Sequence, residues 1–273
     1  MRTSIIFAVA WLLMTDAFAK VVTQEENCTV KADKFFIDLS LDGGKIQVLP
    51  GREARDCRIS MNYPQEKCSV SVRYNEKRGQ LDVAVDFKKW NMEEDDAPNL
   101  ILEVPYGPET SLAANIKAGE TLFELGGLTL ADFRLRHWAG ETMINFSEPN
   151  RMIMKSFDVN VKIGELTIEN LGNARYEEGE INGGIGEMHL DFRGQSADKC
   201  VTRIDLDLGE TSIMLPEKMG IKMRVSKLLS EASLPDGLIR RGDFYYSENY
   251  DDADQKLYLL ISTGIGELNI QFE

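Results

Sequence analysis

The chain has 273 residues, is 43% hydrophobic and 28% charged, and carries a formal net charge of −14. That composition is globular and supplies enough chain for a sizeable core. The acidity argues against nucleic acid and anionic membrane surfaces as partners and fits divalent cations or basic partners better, though net charge of this size more often simply keeps a protein soluble.

Residues 1–19 read as a secretory signal peptide. Arg2 gives a minimal positive start, Ile5 to Met14 is an unbroken apolar run, and Ala17-Phe18-Ala19 is the small-x-small pattern that signal peptidases accept. The run is far short of the ~20 residues needed to span a bilayer. Cleavage before Lys20 is therefore expected, with residues 20–273 as a β-repeat domain, exported to the periplasm or the extracellular space. Cleavage removes Arg2 and Asp16, so the charge stays at −14. No second long apolar stretch follows, so no transmembrane segment is expected in the mature chain.

The four cysteines, Cys28, Cys57, Cys68 and Cys200, all fall after the expected cleavage site. An even count in an oxidising compartment predicts two disulfides, with three possible connectivities. Cys57 with Cys68 closes the shortest loop and leaves Cys28 with Cys200. No CxxC is present, so redox and zinc chemistry are not expected.

Further along, Gly44 has Ile37, Leu39 and Leu41 before it and Ile46 and Val48 after it, and Gly79 precedes Leu81, Val83 and Val85. These are weak copies of a stronger frame. Over residues 112–216 the dipeptide Gly-Glu recurs at Gly119, Gly140, Gly164, Gly186 and Gly209, at intervals of 21, 24, 22 and 23 residues, and again at Gly266 after a gap of 57. Four residues after each glycine comes Phe123, Ile144, Ile168, Leu190, Ile213 or Ile270; five before it comes Ala114, Leu135, Val159, Ile181, Ile204 or Ile261. Six after it the column is apolar except at Asn170.

Such alternation predicts strands with one buried face. Buried positions are odd offsets before the glycine and even offsets after it, and a straight strand cannot change parity. A bulge or corner at Gly-Glu must absorb one residue, which a glycine permits. The fold expected is all-β, a single-stranded β-solenoid or β-helix-like stack of ~22-residue strand–Gly-Glu–strand repeats. A conventional sandwich or meander is the alternative, and the regular period favours the stack. Only Ser226 to Ala232 hints at a turn of helix.

Ile101-Leu-Glu-Val-Pro105, Gly164-Glu-Leu-Thr-Ile168 and Leu208-Gly-Glu-Thr-Ser-Ile-Met-Leu-Pro216 resemble the toastrack family of bacterial exported or envelope proteins, often labelled "putative adhesins" or by a domain of unknown function. They are also similar to the extracytoplasmic β-repeat part of LiaF-type cell-wall stress regulators. The resemblance covers about residues 30–273 and implies a β-solenoid-like fold and non-enzymatic envelope roles, with no catalytic residues to carry over.

In register, Glu120, Glu141, Glu165, Glu187 and Glu210 would form a ladder. Carboxylates at the ~4.8 Å strand spacing repel by about 0.9 kcal/mol each in bulk water. A cation-binding ridge and solvated turn carboxylates are the two readings, the second being the commoner. The acidic runs Glu93 to Asp96 and Asp251 to Asp254 lack the spacing of an EF-hand loop. His137 and His189 sit at different offsets and make no symmetric metal pair. G-x-S-x-G, H-E-x-x-H and P-loop motifs are absent, and Gly183-Gly184-Ile185-Gly186 lies between strands rather than before a helix. Asp191, Asp205 and Asp207 are carboxylates that a glycosidase would need in pairs.

The function expected is non-enzymatic, with neither cofactor nor metal: a rigid β-repeat surface presented to other envelope proteins or cell-wall components. A polysaccharide-active enzyme on the same scaffold, using surface carboxylates, is the alternative, and a purely structural protein is a third reading.

Overall fold

The computed structural model describes residues 21–88 and 97–273. The expected signal peptide and the acidic run 93–96 lie outside the described residues. In chain order the strands are β1 (Val21–Thr29), β2 (Lys34–Leu41), β3 (Gly44–Pro50), β4 (Asp56–Pro64), β5 (Cys68–Asn75), β6 (Gln80–Phe87), β7 (Asn99–Val104), β8 (Glu109–Glu124), β9 (Leu130–Asn145), β10 (Met154–Glu169), β11 (Tyr176–Asp191), β12 (Lys199–Leu215), β13 (Gly220–Ser233), β14 (Leu238–Arg241), β15 (Phe244–Ser247) and β16 (Lys256–Phe272). Among the described residues the only helix is a 3-10 turn at Leu171–Ala174.

The body is the parallel series β8-β9-β10-β11-β12-β16-β13. Each long strand bends at its Gly-Glu, or at Ser230-Glu231 in β13, into a first and a second arm, and the two arms pack inner face to inner face. In β10 the buried residues flanking the corner are Phe157, Val159 and Val161 before Gly164, and Leu166 and Ile168 after it, with Met154 buried at the start of the strand. That is the parity change read from the sequence. Phe123 on the second arm of β8 meets Phe133 on the first arm of β9, with ring centroids 5.5 Å apart. Phe133, Phe157 and Tyr176 continue as a stack with 5.4 Å between successive rings. These packed arms are one continuous sheet folded along a line of glycines, so the expected stack, and not a two-sheet sandwich, is the architecture.

The glycine line is a steric necessity. Gly44, Gly119, Gly140, Gly164, Gly186, Gly209 and Gly266 stand side by side, with φ between +127° and +146°. From Gly119 onward, a Cβ on any of them would fall far inside contact distance of the preceding glycine's carbonyl oxygen. The two reasons are independent, and either alone disfavours every other residue.

The sequence frame needs correction at four places. Gly79 is not a corner glycine; β6 pairs with β2 so that Leu81, Val83 and Val85 lie beside Ile37, Leu39 and Leu41, all before the corner. The second arm of that rung is β7, lying beside β3. Ser226 to Ala232 is strand, not helix, because β13 runs in ladder with β16 and sheet hydrogen bonding overrides local propensity. The 57-residue gap holds a further rung, β13, and the hairpin β14–β15. Asn170 breaks the apolar column because it is left-handed (φ 53°), which brings the fully buried Leu171 into the core instead.

The ends are closed antiparallel: β4 and β1 extend β7, β5 extends β6, and the β14–β15 hairpin lies on β13.

Candidate functional site: the outer corner of the stack

At the bend, the residues beside the glycine have no inner face to occupy. The expected ladder is real in register: Glu120, Glu141, Glu165, Glu187 and Glu210 are successive neighbours. Glu267 and Glu231 continue it, and Lys45 stands in the same column at the other end. Neighbouring groups offset part of the repulsion. Lys45 Nζ lies 3.5 Å from Glu120, His189 Nε2 3.7 Å from Glu187, and Asn269 Nδ2 donates to Glu210 at 3.5 Å.

Beside the acids runs a column that periodicity alone misplaces. Ala118, Ala139, Ile163, Ile185, Leu208, Ile265 and Leu229 are in-register neighbours directly before the corner. Counting by twos from the buried positions puts them in the core. The bend has already begun, however, and they face out: Ile163, Ile185, Leu208 and Ile265 are 45–55% exposed and Leu229 71%. Trp138 and Leu228, one residue earlier, add 59% and 76%. Seven of the twelve exposed large apolar side chains among the described residues therefore lie on this one edge. A contiguous apolar patch of this kind marks an interaction surface more often than chance exposure does.

Residues 16–169 match the sequence family described as "N-terminal domain of toast_rack, DUF2154". The chain belongs to the toast-rack family. Residues 162–270 of this toast-rack chain also match the family described as "Cell wall-active antibiotics response LiaF, C-terminal". Similar solved structures include a "putative cell adhesion protein" from Clostridium sporogenes, 16% identical, with 92% of this chain and 100% of that one covered at a TM-score of 0.45. Another is a "putative adhesin" from Bacteroides fragilis, 14% identical, with 92% and 97% covered at a TM-score of 0.38. No curated protein matches.

Elsewhere in the toast-rack chain the suspected chemistry disperses. Asp205 and Asp207 lie on the first arm of β12 and Asp191 at the far end of the second arm of β11, so the three are not brought together. Asp191 is held by Arg193, with nitrogen–oxygen distances of 2.8–3.1 Å. Burial, and then Asp207, raise the Asp205 carboxyl. Gly183 and Gly184 are spaced for packing, since a Cβ would strike Leu206 and Met188 from the first and the Lys162 carbonyl from the second. A groove of about 870 Å³ crosses the second arms, lined by His189, Asp191, Ser212 and Asn269 and by Leu234 to Asp236. Asp251 pairs with Arg241 at 3.3 Å. Among the described residues, no three acidic, histidine or cysteine side chains converge as metal ligands would.

His137 is 1% exposed, inside the corner, where its Nδ1 meets Thr142 Oγ1 at 2.8 Å while Nε2 has no partner. Burial lowers its pKa to about 4, so it is neutral at pH 7.

The cysteines are arranged differently from the loop-length expectation. Cys28 on β1 stands directly opposite Cys57 on β4. Cys68 opens β5 opposite Phe87, and Cys200 lies in β12 opposite Leu257. Eight strand steps separate β1 from β12, about 38 Å at the usual spacing, so a Cys28–Cys200 bridge is excluded. Cys57 has Cys28, not Cys68, as its cross-strand neighbour. No sulfur–sulfur bond is present in this structure.

Proposed function

We propose that this toast-rack chain is a non-enzymatic exported protein that docks an envelope partner along the outer corner of its stack. The observation that carries the reading is the in-register column Ile163, Ile185, Leu208, Ile265 and Leu229, exposed on successive rungs beside the column of glutamates. The partner's chemistry follows by complementarity: an extended surface with apolar side chains flanked by Lys or Arg. A second copy fits poorly, because two corner edges brought together would oppose two glutamate columns on chains of charge −14. Rungs at a fixed spacing also present a ruler-like surface whose side chains need little ordering on binding.

The test uses the mature protein and two synthetic peptides, one alternating Leu and Lys, one alternating Leu and Glu. The first is expected to bind and the second not. The variant Ile185→Ser with Leu208→Ser keeps every charge and should lose about tenfold in affinity or more. Equal binding by that variant would reduce the interaction to bulk charge and overturn the reading. So would a dimer that the variant dissolves, or turnover of an envelope polysaccharide abolished by one carboxylate substitution.

A further inference from the structure

The N-terminal end of the stack holds a feature that the corner does not use. β1 is an outermost strand of the sheet order, hydrogen-bonded along one side only, to β4. An edge strand with so few partners is the first element to open or to pair wrongly. Within that pairing Cys28 and Cys57 are directly opposite. Residues opposite one another in an antiparallel ladder have Cα atoms about 4.5 or 5.5 Å apart. Both values fall within the roughly 4.4–6.8 Å that a disulfide requires.

We propose that Cys28 and Cys57 form a disulfide that locks β1 onto the stack after the chain reaches an oxidising compartment. The two sulfurs differ in a way suited to stepwise oxidation. Cys57 is fully buried, whereas Cys28 is half-buried and opens into a surface hollow lined by Glu25, Asn27, Thr29, Asp56 and Arg58. The Cys57 thiol donates to Cys28 and holds the Cys28 pKa down, while its own is pushed up by that bond and by burial.

Cys28 is therefore the attacking thiolate. It attacks a sulfur of an external disulfide oxidant, such as a thiol–disulfide oxidoreductase or oxidised glutathione. A mixed disulfide forms and one oxidant thiolate leaves. Cys57 gives its proton to that thiolate and attacks the Cys28 sulfur, expelling the second oxidant thiolate. Two protein thiols have become one cystine, and the oxidant's disulfide has become two thiols.

The bridge encloses β2 and β3 in a loop of 28 intervening residues and thereby ties the edge strand to the first rungs. Cys200 takes no part: it is buried beside Thr202, and burial raises its pKa to about 11.

The mature protein, produced in an oxidising compartment, is alkylated and digested without reductant. A Cys28 peptide cross-linked to a Cys57 peptide is expected, and Cys200 should be recovered free of any cross-link. Amide exchange across Val21–Thr29 should accelerate about tenfold in Cys28→Ser and in the reduced wild type, and remain unchanged in Cys200→Ser. Recovery of Cys28 and Cys57 both alkylated, or of Cys57 cross-linked to Cys68, would overturn the proposal. Cys28→Ser changes a half-buried side chain, so its folding can be checked by thermal melting before exchange is read.

Discussion

The central rungs and the terminal rungs make the same bend by different means. From β8 to β12, and again in β16, every corner is Gly-Glu with the glycine at positive φ. At the N-terminal end, where β6 lies beside β2 and β7 beside β3, Pro98 stands against Gly44 where a preceding glycine would be. At the other end β13 has Ser230 beside Gly266, and Ser230 is not among the positive-φ residues. Its hydroxyl instead donates to the Gly264 carbonyl at 3.0 Å. The difference teaches that glycine answers to position in the stack and not to the bend alone. A rung between two others must present a carbonyl to one neighbour and accept one from the other. The first rung has no preceding carbonyl to meet, whereas Ser230 on the last rung still has Gly266 before it and is spared by a backbone that is not at positive φ.

The largest expected effect is a way to break this comparison. Gly164→Ala places a methyl against the Gly140 carbonyl at φ +130°. It should cost about 3 kcal/mol or more by thermal melting. Ser230→Ala, at the permissive end, should cost less than about 1 kcal/mol. Similar losses for the two would mean that the corner, and not the stack, selects glycine.

A second prediction compares adjacent central rungs. Val161 of β10 stands beside His137 of β9, so His137→Val copies one rung onto the next. Both folded and unfolded chains hold a neutral imidazole well above pH 6.5. Below it the unfolded chain takes up a proton that the folded chain refuses until about pH 4. Stability from this group is thus lost as pH falls from 6.5 to 4. Between pH 7 and 5, wild type should lose about 2 kcal/mol more than His137→Val, read from denaturant curves at each pH. Equal losses would show that the acid sensitivity lies in the carboxylates.

The smallest stability effect should come from the outer corner. Ile185→Ser with Leu208→Ser should shift unfolding by about 0.5 kcal/mol or less, since both side chains are about half exposed. A larger shift would mean that these residues hold rungs together rather than wait for a partner.

Most of the stack was legible from the sequence, because each rung repeats the same steric problem. Phe123, Ile144, Ile168, Leu190, Ile213 and Ile270 are buried as their column required, and the parity change located the bend. The outer corner was half legible. The glutamate column could be counted, but Ile163, Ile185, Leu208 and Ile265 obey the buried period up to the residue where the chain turns. No alternation rule reveals that a bend has started one position early. The ends were hidden for a related reason: Ser230 removed the marker from β13, and Gly79 supplied one where no corner exists. Cysteine spacing along the chain failed because neighbours on β1 and β4 are set by strand pairing, and the shortest loop has no claim on that.

The order of strands in the sheet is not their order in the chain: β16 lies between β12 and β13, although β13 is made first. β13 has no other long partner, its contact with β15 being limited to Lys222 and Met223. A nascent chain ending before Lys256 thus holds an orphan strand and an open face on β12. The stack cannot zip shut progressively from its first rung as the polypeptide emerges; it must wait for a late segment to slip into an interior slot. That delay acts as a built-in clock, postponing closure of this end until the segment that completes it has been made.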